Sequence, residues 1–293
     1  MPTTLSPLKS IPNFRDAGAF VNEQSGQARV KTGLLYRGAR PDEATYHDQQ
    51  KLVSEYKLKT IIDLRTKTEH IEQAQKRDAK VKASAAAPQS NDDVAEPLKI
   101  PGVTYHEINF NGSAFSRMLI SKLSWREFFK LVGLMAAGYR KDAIKILAPH
   151  MEDMGLVGLA IESLDVCTKE VKQVFDVLAK EESWPVLVHC TQGKDRTGLI
   201  VMLLLFLLQV DVAAIEKDYL LSGPELEAEK PERIKEIESI GLSEQFALCS
   251  PETVRKVHSH LGEKYGGVEA YLRSIGLTQG DLTSIKRTLQ AGG

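Results

Sequence analysis

The longest apolar run of the chain, Leu199 to Leu208, is hydrophobic on every face, which suits a helix enclosed by a domain. Just upstream, Val186-Leu187-Val188 is short, apolar and β-branched, and predicts a buried strand. Thr60 to Arg65 predicts a second strand that ends in charges, and Val103 to Phe110 alternates well enough for a third, with Asn111-Gly112 turning the chain out of it. Ser25-Gly26 predicts the turn of a β-hairpin that ends in Leu34 to Gly38. Helical spacing runs through Pro41 to Lys57. Thr168 is expected to cap a helix whose residues Val171, Val174, Phe175 and Leu178 share one face. Ser124-x-x-Glu127 is a capping box opening Phe128, Phe129, Leu131, Val132, Leu134 and Met135. Apolar positions then continue at Ile144, Ile146, Leu147, Met151 and Met154. Strands alternating with helices predict an α/β fold, with a central sheet of four or five strands flanked by helices.

Over residues 1–293 the chain reads as one domain with insertions. Residues 1–40 form an arm and the hairpin. Residues 78–100, rich in Ala, Ser and Asp, read as a flexible insertion, and residues 113–160 as a helical, lid-like one that roofs a pocket. Residues 250–293 hold short C-terminal helices, the first capped by Ser250 and opened by Pro251.

Between the Val186 strand and the Leu199 helix lies His189-Cys190-Thr191-Gln192-Gly193-Lys194-Asp195-Arg196-Thr197-Gly198. Gly193 and its small or polar neighbours let several backbone N–H groups turn inward, and the following helix aims its positive end at the same point. An anion belongs in such a cradle. Cys190 stands at its mouth, where amide donors, the helix N-terminus and Arg196 favour the thiolate. Arg196 offers a planar fork that matches two phosphate oxygens. A second C-x5-R, Cys249 to Arg255, lacks glycine and carries Glu252 and Pro251, so it cannot cradle phosphate. Cys167 has no such setting and is expected to be inert.

The segment from His189 to Gly198 resembles the signature loop of cysteine-dependent phosphatases, and Gly-Lys-Asp-Arg-Thr-Gly resembles their atypical branch, active on phosphotyrosine and phosphoinositides. Asn13-Phe14-Arg15-Asp16, Tyr36-Arg37, Asp63-Leu64-Arg65 with Glu69, and Tyr265 to Arg273 are similar to further segments of that family, with Ala19 and Gly38 departing from its glycine and serine. The resemblance implies a protein tyrosine phosphatase-like fold with a mostly parallel sheet. It also implies metal-independent hydrolysis of phosphate monoesters: Cys190 attacks phosphorus, Arg196 holds the equatorial oxygens, and a carboxylic acid protonates the leaving oxygen before helping water cleave the phosphocysteine. No cofactor is needed. Thr191, Gln192, Gly193, Lys194, Asp195 and Arg196 would bind the phosphate.

The acid is expected to be Asp195, with Asp63 at the pocket rim as the runner-up; Asp63 otherwise pairs with Arg65 to tie strand to loop. Trp184-Pro185 resembles the Trp-Pro-Asp loop of tyrosine phosphatases, but Val186 stands where the aspartate would be. Lys194 either adds positive charge to the cradle, which suits polyanionic head groups, or faces solvent. His189 either orients the loop or packs in the core, and Thr197 either stabilises the departing thiolate or caps the helix. Arg15, Asp16 and Arg37 are expected to form structural ion pairs.

Composition narrows the setting. Thirty-eight basic and thirty-nine acidic residues leave a net charge of −1, which predicts no nucleic-acid partner and confines any basic site to a local one. Three cysteines, an odd number, argue against a disulfide framework and for a reducing, cytoplasmic setting. The Leu199 run is about half of the roughly 20 residues a membrane span requires, although peripheral membrane contact stays open. Expected partners are a phosphorylated protein or a phosphoinositide as substrate and inorganic phosphate as product. Two rivals differ in class: a silent scaffold that binds phosphorylated partners without turnover, and a rhodanese-type sulfur transferase, which a thiosulfate assay would expose.

Overall fold

The computed structural model describes residues 6–75 and 99–292, so most of the 78–100 insertion lies outside the described residues. Five strands form one sheet in the order β1-β2-β5-β3-β4. They are β1 (Arg15–Asp16), β2 (Leu35–Gly38), β3 (Thr60–Asp63), β4 (Thr104–Glu107) and β5 (Val186–His189). Only β1, at one edge, runs antiparallel to its neighbour. The expected strand at Val186 is the central one. Its parallel neighbours are in register so that Gly38 and Asp63 both stand level with His189, which brings three strand ends to one point.

Side-chain alternation in β5 divides the core. Val186 and Val188 face one layer with Ile62, Leu64 and Leu35, while Leu187 faces the other with Ile61, Tyr36, Phe14 and Leu52. Against the first layer lies α8 (Asp195–Leu207), whose residues from Thr197 onward are all buried, as its all-round hydrophobicity predicts. Helix α7 (Thr168–Leu178) packs beside it through the expected face of Val171, Val174, Phe175 and Leu178. Thr168 opens that helix and does not cap it: the N-cap is Cys167, and no side chain caps the end. Helix α9 (Val212–Glu225) returns across the sheet to meet α1 and α8.

The hairpin expected at Ser25-Gly26 is a helix, α1 (Ala17–Ser25). The Asp16 carboxylate accepts from the Ala19 N–H as its N-cap, and Gly26, in the left-handed region with φ +67°, ends it. The turn signal was a helix stop. Helix α2 (Tyr46–Ser54) is shorter than predicted because Thr45, and not a residue near Pro41, is its cap. A third helix, α3, covers residues 67–75.

The 113–160 segment is helical throughout most of its length: α4 (Ser113–Ser121), α5 (Trp125–Ala136) with the predicted Ser124/Glu127 capping box, and α6 (Arg140–Val166), which breaks at Gly155. Ala148 of α6 joins a small separate core with Ile237 of α10 (Lys230–Ser239), Leu242 and Phe246. Three C-terminal helices follow, α11 (Thr253–His260), α12 (Val268–Ser274) and α13 (Gln279–Leu289). Ser250 does not cap α11, since residues 250–252 form a turn and Glu252 holds the cap position in a helical conformation. Among the described residues no helix is long and apolar enough to cross a membrane.

Leu203 of α8 is completely buried against the sheet. Leu203→Ala is expected to destabilise the fold by about 2–5 kcal/mol through lost burial and an unfilled cavity. A urea midpoint within error of the parent would show that α8 is not the central buttress described.

Candidate active site

The strand ends of β2, β3 and β5 surround the loop 190–194, and three residues from outside it hold its carbonyls. Asn13 Nδ2 donates to the Gln192 and Gly193 oxygens at 3.0 and 3.1 Å. Arg37 Nη2 donates to the Gly193 oxygen at 2.8 Å and the Lys194 oxygen at 3.4 Å, and the Arg40 N–H donates to the Thr191 oxygen at 3.3 Å. A planar trans peptide sets its N–H opposite its C=O. With the carbonyls of 191–194 drawn back, the N–H groups of residues 192–195 point to the mouth. The first N–H groups of α8, which no helical carbonyl can take, add to them. Gly193 makes the turn possible: its φ is +66°, and a Cβ there would lie 2.1 Å from the Gly38 oxygen.

Arg37 is itself anchored. With Arg15 it grips Asp218 of α9: Arg15 Nε donates to Oδ1 at 2.7 Å and Arg37 Nη1 to Oδ2 at 2.5 Å. Burial opposes the charge on Arg15 and on Asp218. It lowers the Arg15 pKa and would raise that of Asp218, but the two arginines hold the Asp218 carboxyl below its usual range. Two guanidiniums against one carboxylate leave positive charge buried directly behind the cradle. The structural ion pairs expected for Arg15 and Arg37 are therefore present, while Asp16 serves as a cap. Asp218 went unrecognised from sequence. Its signal was an acid on the buried stripe Ile215, Asp218, Tyr219, Ser222, the i, i+3, i+4, i+7 face of a helix.

Cys190 follows β5 and is 3% exposed. Arg196, in the first turn of α8, is clamped by Glu69 of α3: Nη1 and Nη2 each donate to one carboxylate oxygen at 2.6 Å, and Nη1 also reaches the Leu64 oxygen at 3.1 Å. The Thr191 hydroxyl donates to Glu69 as well. Burial would raise the Glu69 carboxyl, but the Arg196 bonds and charge hold it well below the usual range, while the same carboxylate raises Arg196 against its own burial. Of the five guanidinium N–H donors three are thus committed. The edge bearing the Nε–H and the second Nη2 hydrogen remains for a ligand, and its two parallel donors match two oxygens of a phosphate.

The other predicted residues separate. Asp195 opens α8 with its side chain half exposed. Asp63 is buried, accepting from the Arg65 guanidinium and backbone N–H; Arg65 also binds Asp42. Burial would raise the Asp63 carboxyl, yet His189 and Arg65 together pull it well below the usual range. Burial in turn lowers His189, which is neutral at neutral pH, so Arg65 is what keeps Asp63 ionised there. His189 Nδ1 lies 3.2 Å from the Cys190 oxygen, and its ring is wholly buried, so it both packs in the core and touches the loop. The Lys194 side chain is neither in the cradle nor in solvent. It is buried and donates to the Leu248 and Phe246 oxygens at 2.7 and 3.3 Å, pinning the segment before α11 to the loop. Thr197 is buried with no partner for its hydroxyl among the described residues. Trp184 is buried beneath the strand, its indole N–H bonded to the Leu178 oxygen, far from any acid role. Burial pushes the Cys167 thiol up to about 11 and raises that of Cys249, which sets both apart from a reactive thiolate.

A cavity of about 450 Å³ opens beside Asp195 and Arg196. Phe115, Met151, Leu156, Leu159 and Phe246 make it mainly apolar, and Arg233 of α10 lies on its rim. The helices of the 113–160 segment thus wall one side of it.

A family model described as the tyrosine phosphatase family matches residues 6–291. The chain is similar to a tyrosine-protein phosphatase of Nostoc commune, 35% identical over 134 residues, 42% of this chain and 45% of that protein. It is also similar to the triple specificity protein phosphatase PtpB of Mycobacterium tuberculosis, 31% identical over 120 residues, 36% of this chain and 44% of that protein. These matches span somewhat under half the length of each relative.

Gly193→Ala is expected to abolish phosphate binding, since the added methyl cannot coexist with the Gly38 carbonyl. Thermal shift with inorganic phosphate tests this: the parent should rise in Tm and the variant should not. The Glu69 pKa is depressed on folding, so its contribution is present above its unfolded value, about 4.3, and is lost as pH falls below that toward the folded one. Glu69→Gln should therefore be less stable at neutral pH and lose less than the parent between about pH 5 and pH 3. Parallel acid limbs in urea melts would remove the clamp from the account.

Proposed function

The chain belongs to the tyrosine phosphatase family, and on that premise we propose that it hydrolyses phosphate monoesters through Cys190, with phosphotyrosine in proteins as the preferred substrate. The observation that carries this is the pairing of an amide cradle at Cys190 with a clamped Arg196 whose Nε edge is left uncommitted. In the first step the Cys190 thiolate attacks phosphorus, the bond to the ester oxygen breaks, and Asp195 gives its proton to that oxygen. The equatorial oxygens are held by the loop N–H groups and the Nε edge of Arg196, donors that are already oriented before substrate arrives. In the second step the Asp195 carboxylate takes a proton from water, the water oxygen attacks phosphorus, and the S–P bond breaks to return the thiolate and release phosphate.

Asp195 is favoured over Asp63 as the acid. An acid must hold a proton when substrate binds, and Asp63 is locked as a carboxylate by the Arg65 fork, whereas Asp195 stands open at the cavity beside Arg196. Thr197 has a buried hydroxyl without an acceptor, and the departing thiolate would supply one. The apolar cavity supports an aryl ester: a tyrosine ring and its apolar neighbours fit Phe115, Leu159 and Phe246 better than a polyol head group does. The lysine that would have favoured polyanionic inositides is committed to two carbonyls. The mycobacterial relative is named for a triple specificity, so the test sets phosphoserine and a phosphoinositide beside phosphotyrosine.

Phosphate release with EDTA present should be fastest from a phosphotyrosine peptide, slower from a phosphoserine peptide and a phosphoinositide, and lost in Cys190→Ser. Asp195→Asn should lower kcat on phosphotyrosine by about 10²–10⁴. On p-nitrophenyl phosphate, whose leaving group needs no proton, it should lower kcat far less. An equal loss on both substrates would move the acid elsewhere. Binding of all three substrates with no release from any would favour the silent scaffold.

A further inference from the structure

Nine large apolar side chains are exposed among the described residues, and five of them lie between Trp125 and Tyr139: Trp125, Phe129, Val132, Met135 and Tyr139. Spaced four, three, three and four apart, they form one stripe along α5 and the turn after it, while Leu131 is the buried residue of the helix and α5 packs on α6. Trp125 is 78% exposed, Phe129 65%, and their rings stack with centroids 6.2 Å apart. Such a concentration of apolar surface marks a site of contact. Trp and Tyr stand at its two ends, where rings with one apolar and one polar side suit a water–lipid boundary.

Charge selects the partner. Residues 113–139 carry four basic side chains, Arg117, Lys122, Arg126 and Lys130, against the single acid Glu127, in a chain whose net charge is −1. Glu127 is turned back onto the Ser124 cap and His150, and Lys122 is paired with Glu162. That leaves Arg117, Arg126 and Lys130 exposed, the last two flanking the aromatic stripe on one side. An apolar face bordered by basic residues is the composition of a helix that lies in the plane of an anionic membrane, with long cationic side chains reaching out to the head groups.

We propose that α5 is a membrane-docking helix that seats the protein on an anionic lipid surface through Trp125, Phe129, Val132, Met135 and Tyr139. Docking does not require a phosphate monoester, because the stripe is separate from Cys190. Helix α4 of the same pair of helices places Phe115 in the wall of the cavity beside Arg196, so the docked face adjoins the catalytic one.

The test uses the full chain with phosphatidylcholine vesicles, with and without phosphatidylserine, whose phosphodiester the proposed chemistry does not cleave. Trp184 is buried and the chain has two tryptophans, so any vesicle-induced blue shift of emission reports Trp125. We expect a blue shift and co-flotation only with phosphatidylserine, weakened several-fold as salt rises from roughly 0.1 to 0.5 M. Trp125→Ser with Phe129→Ser should reduce flotation on the order of tenfold while turnover of a soluble phosphopeptide is unchanged. Arg126→Glu with Lys130→Glu should do the same. Equal flotation of these variants would overturn the assignment. So would a concentration-dependent dimer that shields Trp125, or a blue shift induced by inorganic phosphate without vesicles, which would make the stripe a self-association face or a lid. Loss of turnover in Cys190→Ser leaves flotation intact, so the docking and the catalytic proposals fail separately.

Discussion

The site rests on the inversion of a short loop. Peptide carbonyls point backward into Asn13, Arg37 and Arg40 so that amide hydrogens point forward. The donors behind the loop must be strong because they act on a turn that would otherwise direct its oxygens at an anion. Arg37 is strong because Asp218 fixes it from the far side, and Asp218 tolerates its burial because two guanidiniums surround it. Any anion in the cradle therefore meets oriented amides in front and a buried net positive charge behind, with little of either lost to water.

The sheet supplies what the loop cannot. β5 is central, flanked in register by β2 and β3, so the elements that bear Arg37 and Asp63 reach the loop from opposite sides. α8 leaves the loop as an all-buried helix, which fixes the direction of its N-terminus as firmly as core packing can. Glu69 then comes from the segment after β3 to hold Arg196, so the arginine we propose as a phosphate ligand is aligned by the protein itself. Lys194 extends the same logic outward by tying the Phe246–Leu248 segment, which helps wall the apolar cavity, to the loop itself.

Carboxylates near the loop divide by environment. Glu69, Asp63 and Asp218 are each surrounded by cationic donors and are kept ionised, which makes them anchors. Asp195 is half exposed and lies 3.7 Å from the Lys194 ammonium, a looser pair than those. That exposure is what separates the structural acids from the carboxyl we propose as the catalytic one.

The central strand, the glycine turn that carries Cys190 and Arg196, and the buried helix were all legible in the sequence alone. Those features follow from local spacing: an apolar strand, a glycine turn and an all-apolar helix carry their structure in neighbouring residues. It also showed the capping box at Ser124 and the face of α7. Only the tertiary structure decided the partners. Asp218 and Glu69 lie far along the chain from Arg37 and Arg196, and nothing local to either pair announces it. Lys194 looked like a ligand to the anion because its position in the loop fixes its backbone, whereas its side chain is long enough to leave the loop for carbonyls on another segment. The hairpin at Ser25-Gly26 became a helix for the same reason in reverse. A left-handed glycine serves a turn or a helix end equally well, and the choice fell to Asp16 as N-cap and to the packing of Ala17 and Val21 in the core.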